Sequence, residues 1–232
     1  MTEVAPHVLR PRIRTYKPRR SRISQRQSGA FGHQAAFLLP LSDEPLDLAE
    51  IWGEGVPVVL EIGFGTGLAT AQMAAAKPGT GLLAVDIHTP GVGDLLFRIG
   101  DLPLANVRVM EADALTVLDA MIPAGALAGV RSYFPDPWPK ARHHKRRLIQ
   151  PDVLTLVADR LRPRGFWHIA TDWDEYANAI RACFASDARW HGGVIDRPDD
   201  RPVTRYEGRA LLEGRHVTDL LYEVGADDRM AS

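Results

Sequence analysis

A single cysteine, Cys183, occurs in the 232 residues. One thiol excludes an internal disulfide and a cysteine-built zinc site, and it fits a reducing cytoplasm as the expected compartment. Apolar runs of about 18 residues are missing, and the N-terminus has no apolar stretch of the kind a secretory signal needs, so neither a membrane span nor a leader is expected. Internal repeats and low-complexity segments are also lacking. Net charge is nearly absent: 28 Lys and Arg stand against 29 Asp and Glu, leaving −1. That balance would argue against a polyanionic partner if the charges were evenly spread, and they are not. Between Arg10 and Arg26 lie Arg12, Arg14, Lys17, Arg19, Arg20 and Arg22 with no acid among them, and a second basic cluster runs Arg142, His143, His144, Lys145, Arg146, Arg147. Two positive segments inside a neutral total point to a polyanion such as nucleic acid.

The length allows one sizeable core with short appendages. Residues 1–28 have few large apolar residues and many arginines, and read either as an arm that orders on binding or as a solvated tail. Residues 29–232 form the expected catalytic domain, with Phe31, Phe37, Leu38 and Leu39 packing against it. Val56–Ile62 is a continuous apolar run with β-branched residues, the pattern of a strand buried on both faces. An alanine-rich helix is expected over Leu68–Ala76, closed by Lys77-Pro78-Gly79. Further strands are expected at Gly81–Val85, Val107–Met110, Val130–Phe134, Phe166–Ala170 and Val217–Tyr222. Pro151 suits the first position of a helix, whose buried face is Val153, Val157 and Leu161. Strands and helices alternating in this rhythm predict an α/β domain with a largely parallel sheet.

The sharpest local signal is Glu61-Ile62-Gly63-Phe64-Gly65-Thr66-Gly67. Glycines at a strand-to-helix turn let the backbone bend tightly and bring a ligand to the free N–H groups of the helix. The spacing places Gly63, Gly65 and Gly67 two residues apart, whereas a pyrophosphate fingerprint would need its third glycine at position 70, which is Thr70. Glu61 would repel a pyrophosphate and favour a ligand bearing an ammonium and a sulfonium, which points to S-adenosylmethionine. Asp86 ends the second strand, where an acid receives ribose hydroxyls in doubly wound folds. Asp113 follows the third strand, placed either to meet an adenine or to cap a helix.

After the fourth strand comes Phe134-Pro135-Asp136-Pro137-Trp138-Pro139-Lys140, leading into the second basic cluster. Prolines on both sides of Asp136 limit its backbone, so its carboxylate is held at the sheet edge. Here the chain resembles the bacterial tRNA (guanine-N7-)-methyltransferase family. The matching segments are LEIGFGTG at 60–67, DIHTPGVG at 86–93, YFPDPWPKARHHKRR at 133–147, IATDW at 169–173 and RPVTRYEGR at 201–209. The arm before residue 28 is similar only in its basic character.

The resemblance implies a Rossmann-like class I methyltransferase fold, a mostly parallel seven-stranded sheet with helices on both faces. It implies transfer of a methyl group from S-adenosylmethionine to N7 of a guanosine in tRNA, the variable-loop guanosine at position 46, with no metal. By the same resemblance Glu61, Asp86, Asp113 and Asp136 are cofactor-binding acids, and Asp136 is also the catalytic residue. Lys140, Asp172, Thr204, Arg205, Tyr206 and Glu207 are substrate contacts, and Arg142–Arg147 contact RNA. Asp86 departs from the glutamate expected in many relatives, but its shorter side chain can still accept a ribose hydroxyl. These residue types suit the chemistry: guanine N7 has a lone pair and no proton, so no general base is needed there, and a fixed carboxylate can stabilise the developing positive charge.

Overall fold

The computed structural model describes residues 15–16 and 22–225. Most of the basic arm therefore lies outside the described residues. Among the described residues, seven strands form one sheet: β1 (Val58–Ile62), β2 (Gly81–Asp86), β3 (Val107–Glu111), β4 (Leu127–Tyr133), β5 (Leu161–Thr171), β6 (Trp190–Ile195) and β7 (Thr218–Val224). Their order is β3-β2-β1-β4-β5-β7-β6. The first five are parallel, and β7 and β6 close the sheet antiparallel.

Side-chain alternation along the strands divides the core. Val58, Leu60, Leu83, Val85 and Met110 face one layer of helices, α5 (Ala114–Ala120), α6 (Pro151–Arg160) and α7 (Asp174–Ala185). Val59, Leu82, Ala84, Val107 and Val109 face the other, α3 (Leu68–Ala76) and α4 (Thr89–Asp101). The short α2 (Leu48–Trp52) precedes β1, and α8 (Arg205–Leu212) precedes β7. As expected, Phe31, Phe37, Leu38 and Leu39 pack against the core.

The boundary expected at residue 28 falls inside α1 (Gln25–His33). Ser24 and Gln27 form a reciprocal capping box at its start, which satisfies two free backbone donors. The helix lies on α4, with Gln27 Nε2 donating to the Pro90 carbonyl at 3.1 Å and Arg26 paired to Asp94 at 2.9 Å.

Two strand limits differ from the sequence reading for identifiable reasons. Leu161, expected as the last member of the α6 buried face, has extended backbone and opens β5, although its side chain is still buried. Phe134, expected in β4, lies beyond it because its φ of +55° leaves the extended region. No helix of the described residues is long and apolar enough to cross a membrane.

Candidate active site

In the sheet β1 stands between β2 and β4. The chain leaves β1 towards β2 on one side, while β4 begins the run to the other side. Crevices at such reversals, outside the carboxyl ends of the strands, are where open α/β sheets bind ligands. A cavity of about 480 Å³ sits there, within the usual size range of small-molecule sites.

The glycine turn forms its floor. Gly63, Gly65 and Gly67 all have left-handed φ, +76°, +61° and +67°, which a side chain would strain. Gly91 in α4 is as constrained from outside, because a Cβ there would come within 2.0 Å of the Gly65 carbonyl oxygen. Helix α4 therefore abuts the turn directly. Asp86 ties the turn to β2: its carboxylate accepts from the Gly65 N–H at 2.8 Å and the His88 N–H at 2.9 Å. Burial raises its pKa, and those two donors oppose the shift. Asp113 also lines the cavity and caps α5 through the Leu115 N–H at 3.0 Å. Capping and cavity lining coexist in the one side chain.

Glu61 is only 3 % exposed. It pairs in register with Arg131 on β4, and the arginine favours its charged form, yet burial outweighs that and pushes the pKa up to about 7. The neighbouring Thr70 hydroxyl also favours the charged form, but among the described residues Oε2 is buried without a partner in hydrogen-bond geometry. A buried acceptor left unmatched at a cavity wall suits a cationic ligand that would complete it.

Across the cavity, Asp136 lies between two strained residues. Phe134 and Trp138 have φ of +55° and +45°, conformations that cost on the order of 1–3 kcal/mol for a non-glycine residue and persist only when their surroundings enforce them. Those surroundings are visible. The Phe134 N–H donates to the Ala170 carbonyl at 2.7 Å. Trp138 is buried, donates through Nε1 to the Thr15 carbonyl at 3.1 Å, and carries the Arg146 guanidinium over its ring at 5.1 Å. Arg147 Nε donates to the Pro137 carbonyl at 2.9 Å. The Asp136 carboxylate is thus presented by a loop clamped on both sides.

Of the residues expected at the site, Glu61, Gly63, Gly65, Asp86, Asp113, Asp136, Thr204, Arg205 and Tyr206 line this one cavity. Gly67, Lys140, Asp172 and Glu207 lie outside its lining. Lys140 is exposed at the start of the basic segment, and Asp172 is paired to Arg215 at 2.9 Å. Arg142, His143, His144, Lys145 and Arg146 belong to a 3-10 helix, Ala141–Arg146, whose Arg142, Lys145 and Arg146 are exposed.

Two expected contacts have other work. Arg147 is buried, bonded to Glu175 and Pro137 and stacked over Tyr176 at 4.8 Å, so it holds the Asp136 loop instead of facing RNA. Glu207 is buried too. It accepts from Arg201 at 2.6 and 2.9 Å, pairs with Arg197 at 3.1 Å, and completes a capping box with Thr204 at the start of α8.

The sequence reading missed the rest of that buried cluster. Arg201 also donates to Asp219 at 2.8 Å, Asp219 meets His168 Nε2 at 2.8 Å, and His168 Nδ1 meets the Tyr133 hydroxyl at 3.0 Å. Tyr133 lines the cavity, so the chain of contacts runs from the cavity wall to α8. Thr15 and Tyr16 of the basic arm line the cavity as well, which no motif signalled.

Residues 56–220 match a family model described as "Putative methyltransferase". The tRNA (guanine-N(7)-)-methyltransferase of Streptomyces avermitilis is 49% identical over 217 residues, covering 91% of this chain and 75% of that protein. The chain belongs to the tRNA (guanine-N7-)-methyltransferase family. A second relative of the same description, from Thiobacillus denitrificans, is 44% identical and covered over 96% of its length, with 92% of this chain. The solved 16S rRNA methyltransferase KamB superposes with a TM-score of 0.57 at 16% identity, covering 78% of this chain and 94% of that one, a likeness of fold alone. The segment shared with the methyltransferase family model holds the whole cavity lining except Thr15 and Tyr16.

Proposed function

We propose that the protein transfers a methyl group from S-adenosylmethionine to N7 of a guanosine in tRNA, at the variable-loop position that family resemblance implies. The observation that carries this reading is the meeting, in one cavity, of acids from the ends of three adjacent parallel strands with Asp136 on its clamped loop. The residues fit the cofactor: the unmatched Glu61 carboxylate suits its cationic methionyl end, Asp86 its ribose hydroxyls and Asp113 its adenine. When bound, that cofactor supplies an electrophilic methyl group.

The chain's own residues then position and stabilise. N7 attacks with its lone pair and carries no proton, so no general base is required. Positive charge grows on the purine, and the Asp136 carboxylate, held by Pro135, Pro137 and the Arg147 contact to the loop, is preorganised to meet it. Holding the base in line contributes further. Arg142, Lys145 and Arg146 supply an exposed basic face for phosphates.

Incubation of the protein with methyl-labelled S-adenosylmethionine and unmodified tRNA, followed by nucleoside analysis, tests the reading. Label in 7-methylguanosine is expected. Label in any other nucleoside, or none in tRNA, overturns it.

A further inference from the structure

Two aromatic rings stand at the cavity on opposite elements. Phe134 follows β4, Tyr206 lies in the first turn of α8, and both line the cavity. Their planes are inclined by only 22°, and their centroids are 6.4 Å apart. A flat ring inserted between two others makes a contact of about 3.5 Å on each face, so an occupied slot spans about 7 Å. The observed centroid distance is a little less than that width and inside the range of rings that pair with each other directly, so a base entering between them requires a small parting of the two side chains.

Neither ring is placed casually. Phe134 is held at φ +55° by the bond from its N–H to Ala170. Tyr206 rides on a helix whose first turn is fixed by the Thr204–Glu207 capping box and by Arg201 beneath it. Its Cε2 lies 3.9 Å from where a Cβ on Gly65 would be, so the ring overhangs the glycine turn. Asp136 is two residues beyond Phe134 on the same loop, and Arg205 and Arg209, on the same helix as Tyr206, also line the cavity.

We propose that Phe134 and Tyr206 form a slot that stacks the extruded target guanine on both faces and stabilises the charge it acquires. This rests on the reading of the substrate as tRNA guanine. Enzymes that act on a base in a folded nucleic acid take it out of the stack and hold it between flat apolar groups. In the transfer, the N7 lone pair forms the new bond to carbon and the sulfur keeps the electron pair of the bond that breaks. No proton moves, so the purine gains one positive charge and the sulfur loses one. Ring faces are negative and attract a cation lying against them. The slot therefore favours the methylated base over the neutral one, and Arg205 and Arg209 are placed to hold the adjoining phosphates.

Guanosine and 7-methylguanosine 5′-monophosphates, titrated into the full-length protein, probe the slot without turnover. The methylated nucleotide is expected to bind several-fold more tightly, and Tyr206→Leu and Phe134→Leu to abolish the preference. Equal or undetectable binding of the two nucleotides overturns the charge argument.

In single-turnover methylation of tRNA at saturating S-adenosylmethionine, each leucine variant is expected to lose roughly 5- to 150-fold, the usual range for one lost base stack. Tyr206→Phe, which keeps the ring, should restore most of the rate that Tyr206→Leu loses, and cofactor affinity should be unchanged in the leucine variants. Wild-type rates in the leucine variants overturn the proposal, as does an equal loss in Tyr206→Phe or a loss explained by weakened cofactor binding. If Phe134→Leu does not fold, Tyr206→Leu and Tyr206→Phe still decide. A wild-type protein that methylates no tRNA guanine would refute the parent reading, whereas normal N7 methylation with indifferent leucine variants refutes the slot alone.

Discussion

Glu61 couples stability to pH through one proton. Its carboxyl is raised from the ordinary 4.5 to about 7 in the folded chain, with burial as the main cause. The folded state therefore holds a proton that the unfolded chain releases, so the stability tied to this group is complete below pH 4.5 and lost as pH rises through 7. The span corresponds to about 3 kcal/mol. Glu61→Gln should remove that loss, raising stability at pH 8 towards its pH 5 value while weakening S-adenosylmethionine binding. Urea denaturation of both proteins at the two pH values checks it, and an identical stability difference at pH 5 and pH 8 would refute the linkage. Asp136 has a different part. If it stabilises charge on the purine, Asp136→Asn should keep most tRNA affinity and slow single-turnover methyl transfer by on the order of 100-fold. Near-normal transfer in the variant would remove Asp136 from the chemistry.

Among the elements, the exposed basic 3-10 helix Ala141–Arg146 is the segment proposed to contact RNA, while its neighbour Arg147 supports the Asp136 loop. The triple variant of Arg142, Lys145 and Arg146 to alanine should weaken binding to many tRNAs alike and lower the salt slope by about 0.7 to 0.9 per lost phosphate contact. Arg147→Ala should leave that slope intact and cost about 1–3 kcal/mol, because the Pro137 carbonyl and Glu175 lose a charged donor. Filter binding across salt, paired with thermal melts, tells the two apart. The same elements show what the sequence made legible. Strand β1 and helix α3 were readable because an apolar run, a glycine turn and an alanine-rich segment each follow local rules. Helix α1 carries a local signal as well, Ser24 with Gln27 three residues on. Helix α4 was hidden because Gly91, Gly93 and Gly100 contradict helical propensity, and these glycines answer to tertiary contacts that no local rule contains. Strand β6 was masked in the same way by Gly192, where a Cβ would meet the Leu221 carbonyl at 2.1 Å. At the site, the acids were legible from their places at strand ends. The burial of Arg147 and Glu207 was not, since a charged residue in a basic or polar run looks solvated until its partners, distant in sequence, are known.

Over the whole molecule, the Arg201 cluster joins the antiparallel end of the sheet to the cavity wall. Asp219 on β7, His168 on β5 and Glu207 on α8 converge on one guanidinium or on each other. Arg201→Ala would take the shared cation from two buried carboxylates, leaving Glu207 only the partly exposed Arg197 and Asp219 only His168, a loss of about 3–5 kcal/mol. For a chain of this size the melting temperature should fall on the order of 10 °C. A calorimetric scan showing a shift of only a degree or two would refute that weight. The abutment of α4 on the glycine turn bears on anyone engineering a hardier protein. Replacing glycine by alanine inside a helix normally gains up to about 1 kcal/mol, and α4 offers three such positions. At Gly100 the obstacle is the Nε2 end of Gln34 at 2.4 Å, a side chain able to swing away, so Gly100→Ala is a reasonable stabilising change. Gly91 offers no such retreat, because what it meets is the backbone oxygen of Gly65 at 2.0 Å. Alanine there has to push the turn itself, so a sequence optimised for helix content alone would buy a firmer α4 with a displaced cavity wall.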